Sequence, residues 1–203
     1  MKSSKVVQDR DGWQTVSSKR EFTNSHLEVV TDEVKTPARP NARRWTVVRR
    51  KAAVIIAAMS EDEKLLLIRQ ERVPIRDAIW EMPAGQIDGN LDPSPTDLEE
   101  VALRELREET GYELQPGGKL ITLGHYFSSP GFTDEHGYFF LAKPVSKSAA
   151  GATHDETESI LDCRFFSAQK LARMIGDNEI RDANTLSIFA RLVVGGFISL
   201  DRR

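Results

Sequence analysis

Apolar residues recur at three- and four-residue steps across residues 96–110, where Leu98, Ala102, Leu103 and Leu106 fall along one side of a helical repeat. That spacing predicts an amphipathic helix, and Gly111 supplies its stop. Two further helices are predicted at 167–175 and 183–192, with Ser167 suited to an N-cap and Gly176 to the intervening stop. Elsewhere β-branched and apolar residues gather in short runs between turn formers. Residues 46–48, 52–58, 64–69, 120–127, 138–142 and 160–166 read as strands on that basis, with a polar turn at 61–64. Nearer the N-terminus, 13–16 and 27–34 have short strand-like character, with the Ser17-Ser18-Lys19-Arg20 stretch and residues 37–40 as breaks. Residues 1–10 are polar and read as frayed. The pattern divides the chain into a small strand layer, 1–45, and a larger α/β unit, 46–203.

Composition narrows the class. The chain has 203 residues, enough to bury a sizeable core, and 39% hydrophobic with 29% charged residues is ordinary for a globular protein. A net charge of −3 argues against a dedicated nucleic-acid binder, which needs cationic side chains to neutralise phosphates. The basic cluster Arg43, Arg44, Arg49, Arg50 and Lys51 is flanked by apolar strands and reads as the solvent face of a sheet. Cys163 is the lone cysteine, so no intrachain disulfide is available, and it reads as a small apolar filler on a strand. The longest apolar run, 52–59, is far too short to span a bilayer, and residues 1–10 lack the apolar core of a signal peptide. The expected location is the cytoplasm. None of the four histidines, 26, 125, 136 and 154, has zinc-ligand spacing.

The candidate chemistry lies on the first helix. Glu105, Glu108 and Glu109 stand at i, i+3 and i+4, so three carboxylates share one face. Uncompensated, they repel; a hard divalent cation makes such an oxygen cluster favourable, and Mg²⁺ binds through a few carboxylates plus substrate phosphates. Arg104 reaches Glu108 across one turn, while Arg107 points nearly the opposite way. Before the helix, Pro83 and Gly85 shape a tight loop able to aim the Ala84 carbonyl at a cation.

The run Arg104-Glu105-Leu106-Arg107-Glu108-Glu109-Thr110-Gly111-Tyr112, preceded by Pro83-Ala84-Gly85, resembles the box of the Nudix hydrolases, R-E-U-x-E-E-x-G-U with U apolar. In one respect it departs from the family pattern. Gly85 lies five residues further from Arg104 than the pattern allows, and Thr96 falls where the first box glutamate belongs. An enlarged loop bearing Pro93 and Pro95 accounts for the extra length; either Glu99 or Glu100 stands in for the missing glutamate or no residue does.

The resemblance implies a Nudix fold: a mixed β-sheet sandwiched between α-helices, with the N-terminal strand unit attached. It implies metal-dependent hydrolysis, with Mg²⁺ (Mn²⁺ as an alternative) held by the Ala84 carbonyl, Glu105, Glu108 and Glu109. More loosely, the segments Gln70-Glu71-Arg72, Ser129-Pro130-Gly131 through Glu135, and 179–190 resemble the subfamily that splits ADP-ribose and other nucleoside diphosphate sugars. By that likeness Arg72 contacts the diphosphate, Glu135 the terminal ribose, Glu156 acts as general base and Glu158 adds a metal ligand. The same likeness implies a homodimer packed through the strand unit. Trp13, Trp45 and Trp80 are all able to stack on a purine; Trp80 reads as a packing anchor, and Trp45, between the strand unit and the first core strand, is the better stacking candidate. The expected substrate is ADP-ribose. The alternatives are another nucleotide sugar such as GDP-mannose, a modified nucleotide, a capped nucleic acid, or a nucleotide-sensing module without catalysis.

Overall fold

The structure, a computed structural model, describes residues 6–87, 93–154 and 159–200. Strands β1 (Gln14–Thr23), β2 (Leu27–Thr36) and β3 (Arg39–Arg50) form an antiparallel three-stranded sheet. The Ser17–Arg20 stretch, expected as a break, lies inside β1. Polar cross-strand pairs replace the apolar alternation that would have revealed it: Ser17 Oγ donates to Glu33 at 3.1 Å, and Arg20 pairs with Glu28. Two register shifts, at Thr15/Ser17 and Arg20/Phe22, bend the strand further from regular alternation.

The second sheet is mixed. It comprises β4 (Ala53–Met59), β5 (Leu65–Arg72), β6 (Asp77–Glu81), β7 (Ala84–Gln86), β8 (Tyr112–Phe127), β9 (His136–Lys147) and β10 (Ile160–Phe166). Its path is β10-β5-β4-β9-β8, with β6 on β5 and β7 on β4, and β4 runs parallel to β9. Helix α1 (Pro95–Thr110) covers one face. Its Leu98, Ala102 and Leu106 pack with Val54, Ile56, Ala58 and Leu66. Helices α2 (Ala168–Gly176) and α3 (Ala183–Val194) cover the other, where Leu171, Ile188 and Leu192 meet Ile55, Ala57, Leu65 and Leu67. Alternate residues of β4 and β5 thus feed opposite cores, the period-two signature of a sheet buried on both sides. The expected sandwich is present.

Several boundaries differ from expectation. Residues 46–48, expected in the larger unit, lie within β3 and pair with β2, and β6 was not expected. Strand β8 begins at Tyr112, not 120; the Pro116-Gly117-Gly118 stretch that hid it falls in the register break between Leu114 and Lys119. Gly176 lies within α2, which is capped instead at Asp177. Ala84–Gln86, expected as a loop, is a short strand on β4.

A split in the sheet positions the site. Strands β4 and β5 pair only at Ala58–Leu66 and Met59–Leu65. Beyond that, β7 takes the place beside β4 and β6 the place beside β5, so the Met82–Gly85 turn crosses the gap. The two sheets are tied at Val48, whose N–H donates to Phe132 O at 2.9 Å and whose carbonyl accepts the Thr133 hydroxyl at 2.7 Å. No helix among the described residues is long and apolar enough to cross a membrane.

Candidate active site

Helix α1 is fixed at both ends. Ser94 and Asp97 form a reciprocal capping box, Pro95 starts the helix, and Gly111 ends it at φ 71°, a conformation that glycine adopts without strain. Thr96, Glu99 and Glu100 all lie exposed in the first turns. One helical face carries the three acids: Glu105 and Glu109 are buried and Glu108 is half-buried. Arg104 forks between two of them, reaching Glu105 Oε1 and Glu108 Oε2 at 2.5 Å each. Partial burial works against its charge, but Glu105 and Glu108 outweigh that and hold its pKa above the ordinary value.

The turn between β6 and β7 presses on this face. The Ala84 N–H donates to Glu109 Oε2 at 2.9 Å. A Cβ built on Gly85 would stand 1.9 Å from Glu105 Cδ, so the absence of a side chain there lets the carboxylate lie against the backbone. The Met82 N–H donates to the Thr185 hydroxyl at 2.9 Å, and that hydroxyl donates to Asp182 Oδ2 at 2.7 Å. Asp182 is the N-cap of α3, so the first turn of one helix braces the turn that braces another.

Across the split, Arg72 clamps Glu81 with Nε at 2.8 Å and an Nη at 2.5 Å. The Glu81 side chain is only 5% exposed, and burial pushes its pKa up despite the attraction of Arg72. The Glu81 hydrogen bond in turn raises Arg72, with added contributions from the charges of Asp182 and Glu109. Arg72 therefore lies within electrostatic reach of Glu109, but here its fork is engaged by Glu81.

Glu135 accepts the Ser128 hydroxyl at 2.7 Å and pairs with Arg50 at 3.1 Å, at the junction of the two sheets. Trp45 is 47% exposed on β3, whereas Trp80 meets Phe166 edge to face at 5.1 Å as a packing contact. Glu156 and Glu158 lie outside the described residues. Their flanks are described: Thr153 N–H donates to Glu108 O at 2.9 Å, and His154 Nε2 is 3.0 Å from Glu109 O. On the far side, Glu71 N–H donates to Ser159 O at 3.0 Å and Ser159 Oγ to Glu71 at 2.6 Å. Cys163 packs against the α1-side core, and burial pushes its thiol up to about 11, so it is inert as a nucleophile at neutral pH.

The donor set suits a hard divalent cation in kind: three carboxylates on one face, beside a backbone turn with no side chain at Gly85. Among the described residues no three acid, His or Cys side chains converge on one point. Arg104 already supplies positive charge to Glu105 and Glu108. A cation between them would compete with that guanidinium. A separate hollow of about 630 Å³, lined by Ser60, Asp62, Tyr112, Gln115, Val145 and Phe165, includes none of these acids.

Sequence reasoning did not single out Glu81, Gln70, Asp182 or Thr185. Glu81 carries a signal in retrospect, since it interrupts an apolar run between Trp80 and Met82, whereas Gln70 sits between Arg69 and Glu71 and has none. Asp182-Ala183-Asn184-Thr185 has the spacing of an N-cap, but its contact with Met82 spans 103 residues and leaves no local trace.

Comparison with known proteins gives a consistent result. The family model described as NUDIX domain matches residues 48–187. The chain is 32% identical to the methanol dehydrogenase activator of Bacillus methanolicus, covering 85% of this chain and 88% of that one. It is 29% identical to the ADP-ribose pyrophosphatase of Bacillus subtilis over 84% and 87% of the two chains. With the ADP-ribose pyrophosphatase of Mycobacterium tuberculosis it shares 29% over 90% and 83%. A crystal structure described as an ADP compounds hydrolase superposes with a TM-score of 0.72 at 18% identity, covering 92% of this chain and 95% of that one, a likeness of fold.

Proposed function

Because the chain belongs to the NUDIX family, as the match over residues 48–187 shows, we propose that it is a metal-dependent hydrolase of ADP-ribose or a related nucleoside diphosphate sugar. The products are AMP and ribose 5-phosphate. The observation that carries this reading is the packing of Glu105 and Glu109 against the Ala84–Gly85 backbone, with Arg72 close enough to Glu109 to feel its charge. Two relatives named ADP-ribose pyrophosphatase, aligned over most of both chains, support the substrate.

Glu105, Glu108, Glu109 and the Ala84 carbonyl would hold Mg²⁺ or Mn²⁺, with Glu158 adding a ligand. A bound cation supplies charge neutralisation at the bridging oxygens and a lowered pKa for a water. The protein's own groups do the rest. Arg104 orients Glu105 and Glu108 from outside the cluster. Arg72 releases Glu81 and offers its forked donors to a phosphate oxygen. Glu156 accepts the proton of the attacking water, whose oxygen bonds to phosphorus as the bridging P–O bond breaks. Glu135 accepts from the terminal ribose, and Trp45 stacks on the base. Positioning and charge account for most of the rate. The exposed Trp13, Val16, Phe22 and Trp45 make the three-stranded sheet a surface for a second copy, and we read the protein as a homodimer.

A panel of nucleoside diphosphate compounds with Mg²⁺ or Mn²⁺, followed by chromatography, tests the reading. AMP from ADP-ribose is expected; preference for GDP-mannose would shift the substrate, and binding without cleavage would make the chain a sensor. Glu109→Gln is expected to cut turnover by roughly a hundredfold or more with an unchanged circular dichroism spectrum. Wild-type turnover in that folded variant would refute the metal assignment. Glu156→Gln tests the base, for which a large loss in kcat with unchanged substrate affinity is expected.

A further inference from the structure

Gln70 is a buried polar residue with no assigned role. It is 6% exposed, and its side-chain Oε1 is one of two buried polar atoms among the described residues with no hydrogen-bond partner. The other, Arg50 Nε, belongs to a side chain already paired with Glu135. Native proteins rarely bury an unpaired acceptor, because the lost hydration costs about 1–3 kcal/mol. An unpaired acceptor inside a site that must receive a ligand is explained if the ligand brings the donor.

The position of Gln70 agrees. On β5 it pairs with Ile79 of β6 on one side and Ile160 of β10 on the other. Side chains alternate along the strand, so Gln70 shares its face with Leu66, which packs with Leu98, Ala102 and Leu106 of α1. Arg72 is the next residue on that face and holds Glu81 two residues beyond Ile79. Gln70 thus lies on the sheet face toward α1, beside the Arg72–Glu81 pair. Just past it, Glu71 is hydrogen bonded to Ser159.

We propose that the Gln70 side-chain carbonyl is a ligand-positioning acceptor of this site, taking a hydrogen bond from an O–H that arrives with the substrate. An ionised phosphate presents no such donor. The donor is therefore a hydroxyl of the sugar or the water held for attack. The inference rests on the functional reading above for the identity of the ligand, but not for the missing partner of Gln70 Oε1.

Gln70→Met keeps length and removes the acceptor, and Gln70→Leu repeats the change with a different shape. Three measurements follow: thermal unfolding of the ligand-free protein, metal-free calorimetric titration with ADP-ribose, and steady-state kinetics with Mg²⁺. The ligand-free Tm of the better-packed variant is expected to equal or exceed that of the wild type, because an unsatisfied acceptor has gone. A sugar hydroxyl as donor gives a Kd weakened about tenfold; a water gives an unchanged Kd and a kcat lowered about tenfold, each a loss of one hydrogen bond. A Tm lower by several degrees in both variants would mark the amide as structural and overturn the proposal. So would binding and turnover both within about threefold of wild type, less than one hydrogen bond is worth. If wild-type protein neither binds nor cleaves ADP-ribose, the substrate assignment fails, and the Tm comparison still decides whether Gln70 is built for a ligand.

Discussion

Gly85→Ala adds one methyl at the point where the β7 backbone and α1 touch. The new Cβ would lie 1.9 Å from Glu105 Cδ, 2.2 Å from its Cγ and 2.3 Å from Oε1, against a normal separation of about 3.5–4.0 Å between carbons. The overlap is with the end of a flexible side chain, so Glu105 can rotate away and the fold survives. What is lost is the place of its carboxylate and its 2.5 Å contact with Arg104. A charged hydrogen bond of this kind is worth about 1.5–3 kcal/mol when buried, and the 42% exposure of Arg104 moves the cost to the low end. At roughly 2–4 °C per kcal/mol for a chain of this size, Tm should fall by about 3–6 °C. Turnover should fall much further, by about a hundredfold, since displacement of a reacting group by 1 Å costs on that order. Kinetics on ADP-ribose across an Mg²⁺ series, beside thermal unfolding, would measure both. The double variant Gly85→Ala/Glu105→Ala should be no slower than Glu105→Ala alone, because the first change acts only through the second. Wild-type turnover in Gly85→Ala, or full additivity in the double variant, would refute the role given to Glu105.

Thr185→Val removes the hydroxyl that accepts the Met82 N–H in a position 1% exposed; stability should drop by about 1–3 kcal/mol, with Thr185→Ser restoring most of it in a denaturant titration. Burial holds the Asp134 carboxyl above its ordinary 3.8, against the pull of the Arg50 N–H. In the folded state it keeps its proton to higher pH than in the unfolded chain, so the stability it contributes below 3.8 is lost as pH rises through its folded value. Asp134→Asn retains an acceptor for the Arg50 N–H at 2.9 Å and carries no charge. The Tm of the variant relative to wild type should therefore climb with pH and then level off; a constant difference from pH 3 to 8 would contradict the shift.

The core of the fold was legible because its elements repeat with the periods that burial imposes. Leu98, Ala102 and Leu106 repeat at helical spacing since only one side of α1 meets the sheet, and 52–58 reads as a continuous apolar run since β4 is covered on both sides. Strand β1 was misread for the converse reason. Every residue in it is exposed, and Ser17, Ser18 and Thr23 face the carboxylates Glu33, Asp32 and Glu28 on β2, so the sequence carries no apolar alternation to detect. The acid face of α1 is a local feature of one turn, and the three glutamates came out of the sequence with Arg104 beside them. The groups that hold that face are not local. Gly85 meets Glu105 twenty positions later, the Ala84 N–H meets Glu109, and Thr185 reaches back to Met82. In each, one partner is a backbone atom, which any residue type supplies equally and which therefore writes nothing into composition or spacing. A side-chain pattern can announce which acids gather. What lies against those acids is set by main-chain atoms brought alongside by the fold, and here that packing follows from the parting of β4 and β5 after Leu66, a feature of strand pairing alone.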